Sequence, residues 1–204
     1  MNKIGIIGAG IMGTDLAHIT AEAGFSVKLY DIKTEKSVAA KEFIATRLDG
    51  YIAKNRRTHS DKEKILNNIK VVDSFEDLAD SDIFLEAVFE DLPLKQEIFQ
   101  RLDSISSAGT VLASITSSIS ITEIASATSK PESVIGLHFL NPARVMGLVE
   151  IVPGFCTTVE TIEMAKAFVK KLKKDFMKII IYYYIFFLFF IWNKYTFKRI
   201  DLLS

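Results

Sequence analysis

Two stretches of this sequence carry residue types that can do chemistry. One is His138-Phe139-Leu140-Asn141-Pro142, followed closely by the β-rich run Leu148-Val149-Glu150-Ile151-Val152. A hairpin centred on Arg144 sets Glu150 directly opposite His138. A histidine facing a carboxylate is an oriented general base, because the carboxylate fixes the tautomer and stabilises the imidazolium formed when the base takes a proton. The other stretch is Gly8-Ala9-Gly10-Ile11-Met12-Gly13, a G-x-G-x-x-G between an apolar run and a helical pattern. Gly8 permits the tight turn, Gly10 keeps a Cβ away from a pyrophosphate, and Gly13 lets helix and strand pack closely. The helix N-terminus offers free N–H groups and partial positive charge to phosphates. Asp31 follows about twenty residues on, as a ribose-binding acid should. It favours NAD over NADP, slightly blunted by Lys33, while FAD uses the same fingerprint.

These residues need elements to position them. Strands are expected at 3–8, 26–30, 69–72, 83–87, 110–114 and 134–139, with a short antiparallel return at 148–152. Helices are expected near 11–23, 33–54, 94–104 and 122–128. In the long second helix Ile44, Leu48, Tyr51 and Ile52 form the stripe of a helix laid on a sheet. Near-continuous apolar strands alternating with helices predict a doubly wound α/β fold, its mostly parallel sheet covered on both faces. Ligands bind such sheets beyond the carboxyl ends of the strands. The residues expected there are Glu86–Glu90, Ser114–Ser118 and His138–Pro142.

Composition narrows the function classes. The net charge is zero with 25 basic and 25 acidic residues and only 3 histidines, which argues against a nucleic-acid binder. The single cysteine, Cys156, excludes a disulfide framework and a cysteine-rich zinc site; no metal is expected, and a reducing compartment is. No signal peptide is recognisable, so a cytoplasmic location is expected.

The sequence resembles the NAD-dependent 3-hydroxyacyl-CoA dehydrogenases, including the 3-hydroxybutyryl-CoA type. The likeness spans roughly residues 1–174. It rests on the glycine loop, the E-A-x-x-E-x-x-x-x-K segment Glu86–Lys95, the T-S-S-I-S-I-T-E-I-A segment Thr116–Ala125, and H-F-L-N-P-x-x-x-M-x-L-V-E from His138 to Glu150. The resemblance implies a Rossmann-type domain with NAD as cofactor and an acyl-CoA substrate. It implies that His138 abstracts the 3-hydroxyl proton, that Glu150 holds His138, and that Ser117 bonds to the substrate oxygen. Asp31 would hold the adenosine ribose, beside the loop residues Gly8, Gly10, Ile11, Met12 and Gly13. Glu90, Lys95, Ser117 and Asn141 would contact the cofactor around its ribose and nicotinamide. Lys54 matches a basic coenzyme A contact, and Arg47, on nearly the same helical face, is expected beside it. On the residues alone other readings stand: a core histidine at 138, a surface carboxylate at 150, a helix cap at Ser117 and Ser118, and a solvated helix end at Lys54, Arg56 and Arg57.

The sequence also departs from the family. Ile115 stands where an Asn precedes Thr-Ser-Ser, and Gly147 where a lysine is common. Residues 1–174 are expected to be the dinucleotide-binding domain and 175–204 an atypical apolar tail. The helical domain that closes the pocket and forms a homodimer in the family is not recognisable. All 10 glycines and 4 prolines precede the tail, which is dominated by Ile, Phe, Tyr, Leu and Lys. That composition points first to translation out of frame or through AT-rich sequence. The other readings are a membrane or partner contact through Ile179–Trp192 and a folded replacement strand. As a helix, the uncharged run reaches about 21 Å, short of the ~30 Å hydrocarbon core.

Overall fold

The computed structural model describes residues 1–179. Eight strands form one sheet: β1 (Lys3–Ile7), β2 (Ser26–Tyr30), β3 (Ile69–Val72), β4 (Ile83–Glu86), β5 (Val111–Ser114), β6 (Val134–Phe139), β7 (Leu148–Pro153) and β8 (Asp175–Lys178). Their order across the sheet is β3-β2-β1-β4-β5-β6-β7-β8. Strands β1 to β6 run parallel, β7 returns antiparallel to β6, and β8 is parallel to β7. The order reverses between β1 and β4, so a crevice opens beyond their carboxyl ends, the place where such sheets take ligands.

Six helices cover the two faces: α1 (Ile11–Glu22), α2 (Thr34–Ile52), α3 (His59–Asn67), α4 (Leu92–Ile105), α5 (Ile121–Ala125) and α6 (Val159–Lys171). Because successive strand residues point to opposite faces, neighbours separate into two cores. Ile4, Ile6, Val27, Leu29, Ile83 and Leu85 pack with residues of α1, α2, α3 and α6. Ile7, Phe84, Leu112 and Val134 pack with Phe99 and Leu102 of α4 and with Ile121 and Ile124 of α5.

Most expected elements appear with ends displaced by a few residues; β2, β3 and β6 have the expected bounds. Two helices lie outside the expected set. Helix α3 is set by a capping box in which Thr58 and Asp61 satisfy each other's backbone N–H groups, and it buries only Ile65. Helix α6 carries a readable stripe of Ile162, Ala165, Phe168 and Val169, with Thr158 capping it. Helix α5 starts at the Ser120 cap, which replaces Ser117 and Ser118 in the capping role considered for them.

The sheet also runs past Lys174, where the composition changes. Strand β8 pairs Leu148 with Asp175 and Ile151 with Lys178. Its Phe176 ring lies under the ammonium groups of Lys166 and Lys170, at 5.9 and 5.6 Å. Beyond Ile179, the apolar run and its expected contacts lie outside the described residues. Among the described residues no helix is long and apolar enough to cross a membrane.

Phe168 ties α6 to the amino-terminal half: its ring meets that of Phe25 at 5.3 Å, and both are fully buried. Phe168→Ala is expected to lower stability by about 3–5 kcal/mol, read as a lower midpoint in urea denaturation with an unchanged slope.

Candidate active site

The turn after β1 is built by two close approaches. Gly8 has φ +99°, and a Cβ there would lie 2.7 Å from the Ala87 carbonyl oxygen. A Cβ on Gly13 would fall 1.8 Å from the Gly8 carbonyl oxygen, so α1 starts hard against the strand end. A Cβ on Gly10 would meet nothing within 4 Å, which leaves the space before the helix open. The Thr14 N–H makes an intrahelical bond to Gly10 O at 2.9 Å, and the first-turn amides before it have no intrahelical acceptor. No acidic residue lies in that first turn. Asp31, just past β2, accepts from Ala9 N–H through Oδ2 at 2.9 Å and from Lys33 N–H through Oδ1 at 3.1 Å. Open donors, a glycine where a phosphate must approach and an acid beside the loop together fit a dinucleotide.

Across the crevice, the β6–β7 register places His138 opposite Glu150. His138 Nδ1 lies 2.7 Å from Glu150 Oε2, and Nε2 lies 3.1 Å from Ser117 Oγ. A carboxylate only accepts, so Nδ1 carries the proton and Nε2 presents its lone pair toward Ser117. Both side chains line a cleft of about 450 Å³ that runs from Met12 of the glycine loop past Glu90, Ile115 and Ser118 to Asn141. The loop and the histidine therefore face one space.

The floor behind that cleft is charged. Lys95 of α4 and Glu86 at the end of β4 are both fully buried, with Nζ 2.7 and 2.9 Å from the two carboxylate oxygens. Ser114 Oγ donates to Glu86 at 2.6 Å and Val88 N–H at 2.5 Å. Burial pushes the Glu86 carboxyl up, against the pull of the Lys95 ammonium and these hydrogen bonds. For Glu90, burial also acts upward, but it is outweighed by hydrogen bonds from Thr116 and Ser118 and by the charge of Lys95, so the carboxyl falls to about 2.

A family model described as the NAD-binding domain of 3-hydroxyacyl-CoA dehydrogenase matches residues 3–179. The chain belongs to this family. It is 40% identical over 175 residues to the 3-hydroxybutyryl-CoA dehydrogenase of Bradyrhizobium diazoefficiens, a match covering 86% of this chain and 60% of that protein. Against a probable 3-hydroxybutyryl-CoA dehydrogenase of Bacillus subtilis, identity is 37% over 179 residues, covering 88% of this chain and 62% of the relative. The crystal structure of the (S)-3-hydroxybutyryl-CoA dehydrogenase of Ralstonia eutropha superposes with a TM-score of 0.85 at 37% identity, covering 88% of this chain and 63% of that one. The chain thus spans 60–62% of the length of these curated relatives.

In this NAD-binding domain, several residues singled out in the sequence converge on the cleft: Met12, Glu90, Ser117, His138 and Asn141. Glu150 stands directly behind His138. Two others sit elsewhere. Lys95 does not line the cleft, because its ammonium is spent on Glu86 inside the sheet–helix interface. Arg47 is tied to buried Asp15 of α1, Nη1 to Oδ1 at 2.8 Å, and lies 3.3 Å from His18 Nδ1. Its guanidinium braces α2 against α1, while Lys54 remains exposed just past the end of α2. Burial pushes the His18 imidazole down.

The sequence reading passed over Glu86, Ser114 and the Thr116 hydroxyl as members of the network. One signal was available: Lys95 lies on the buried α4 stripe with Phe99 and Leu102, and a lysine at such a position requires a buried partner.

The ionisation of Glu90 gives a direct test. Its carboxyl is held at about 2 against an ordinary 4.5. Its bonds to the 116–118 turn are therefore complete above pH 4.5 and are lost as the pH falls through about 2. Carbon-detected NMR titration of the glutamate carboxyls is expected to place Glu90 near that lower value; an ordinary midpoint would mean the turn does not hold it.

Proposed function

We propose that the chain takes part in NAD-linked interconversion of (S)-3-hydroxyacyl-CoA and 3-oxoacyl-CoA, with His138 as the general base. The observation that carries this reading is the alignment of Glu150, His138 and Ser117, at 2.7 and 3.1 Å, in a cleft continuous with the glycine loop. Bound NAD supplies the acceptor for the hydrogen leaving carbon 3. The Nε2 lone pair of His138 takes the hydroxyl proton, and the Glu150 carboxylate stabilises the imidazolium that results. Ser117 Oγ marks the place of the substrate oxygen, within hydrogen-bond reach of Nε2. In the reverse direction the same imidazolium returns the proton.

Asp31 accepts from the ribose 2′-hydroxyl of the adenosine half and disfavours a 2′-phosphate. Gly10, Ile11 and Met12 present backbone N–H groups to the pyrophosphate. Glu90 and Asn141 border the nicotinamide end. Lys54 meets the coenzyme A phosphates by charge; Arg47, bound to Asp15, braces the helix that leads into Lys54. A second reading, NAD binding without turnover, draws on Ile115. This apolar side chain lines the cleft beside Ser117 and cannot supply the hydrogen bonds of an amide.

NADH oxidation by the full chain with acetoacetyl-CoA separates the two. His138→Ala is expected to lower kcat by about 10²–10⁴-fold while NADH still binds. Glu150→Gln is expected to lower kcat by a smaller factor, with NADH affinity retained. NADH binding with no turnover in the unmodified chain would establish the second reading.

A further inference from the structure

Lys95 has more partners than one buried ion pair requires. Glu86 neutralises it through both oxygens, and Ser114 and Val88 complete that carboxylate's hydrogen bonds. The ammonium nevertheless also lies 3.4 Å from Oε2 of Glu90, a carboxylate that is 40% exposed and borders the cleft.

Glu90 faces two ways. Its Oε2 is turned to the buried cation. Its Oε1 accepts from the N–H groups of Ser117 and Ser118 at 3.1 and 3.2 Å, from the Ser118 hydroxyl at 3.0 Å, and from the Thr116 hydroxyl. One carboxylate thus connects the α4 core to all three residues of a short turn. That turn carries the hydroxyl lying 3.1 Å from His138 Nε2. Lys95 itself has no exposed side-chain surface; its ammonium reaches the cleft lining through Glu90 and through the Val88 carbonyl at 3.4 Å, and Glu90 alone connects it to the 116–118 turn.

We infer that Lys95 is a positioning residue: acting through Glu90, and itself fixed by Glu86, it holds the 116–118 turn where Ser117 stays within hydrogen-bond reach of His138. The resemblance implied a direct cofactor contact for this lysine; the geometry assigns it an indirect task. The inference rests on the dehydrogenase reading only for its effect on turnover, since the effect on the turn is independent of substrate. A buried ammonium suits the task because packing fixes its stem and its charge attracts Glu90 in surroundings of low polarity.

The test uses the full chain with Lys95→Met and with Glu86→Gln/Lys95→Met, the second removing the carboxylate charge that the first leaves uncompensated. Amide hydrogen exchange is followed by NMR, alongside NADH affinity and the kcat and KM for acetoacetyl-CoA. Protection of the Ser117 and Ser118 amides is expected to fall at least about tenfold, while amides of β1 and β2 keep theirs. In an active chain kcat is expected to fall with NADH affinity unchanged. Unchanged protection at Ser117 and Ser118 would overturn the inference, as would lost protection with kcat intact in an active chain. Weakened NADH binding with the turn still protected would restore the direct contact. Loss of protection throughout β1 and β2 in both variants would make the pair a general fold element and also overturn it. An inactive unmodified chain would defeat the dehydrogenase reading alone, because the exchange measurement still decides the role of Lys95.

Discussion

A carboxylate 2.7 Å from Nδ1 of His138 decides which ring nitrogen keeps a lone pair, and the chemistry of the cleft follows from that choice. Without Glu150 the imidazole could take either tautomer and rotate about its own bond. With it, Nε2 is committed to the side where Ser117 stands. The constraint comes from backbone pairing. Antiparallel β6 and β7 oppose His138 to Glu150 as they oppose Leu137 to Ile151 and Phe139 to Val149. Flanking apolar pairs fix the register, since a slip of one residue would turn Val149 and Ile151 out of the core. The alignment of His138 with Glu150 is thus maintained by hydrophobic packing on either side of it.

Two ion pairs, one part-buried and one fully buried, stand on opposite faces of the sheet. Asp15–Arg47 joins α1 to α2, and fully buried Glu86–Lys95 joins the end of β4 to α4. A buried pair is a weak source of net stability, because desolvation offsets much of the attraction, yet losing one partner of it costs about 3–5 kcal/mol. Their value here is geometric. Each ties an element that borders the crevice to a helix behind it: α1 carries the glycine loop, and the end of β4 leads into Glu90. Arg47 and Lys95, which resembled ligand contacts in the sequence, are each paired with a carboxylate behind the crevice.

The legible parts of the sequence were those governed by local rules. Alternating strands, the glycine turn and the hairpin register follow from spacing along one segment, so β2, β3 and β6 and the His138–Glu150 opposition could be read directly. The α6 stripe could have been read in the same way. Helix α3 offered only Ile65 to the core and a cap at Thr58, too little periodicity to stand out. The partners of long basic side chains were not legible for a different reason. The partner of Arg47 lies 32 residues away on another helix, and that of Lys95 at the end of a preceding strand. Spacing shows that a cation is present; only tertiary packing shows which anion takes it.

Each carboxylate oxygen of Asp31 holds one backbone N–H. An anchored acid has little rotational freedom to surrender on meeting a sugar diol, so its remaining lone pairs are offered at small entropic cost. Two backbone hydrogen bonds also oppose its swinging aside. On the proposed placement of the adenosine ribose, a sugar esterified at that hydroxyl would meet a negative charge held in position, and discrimination between the two forms of the coenzyme would be a matter of stiffness as much as of charge.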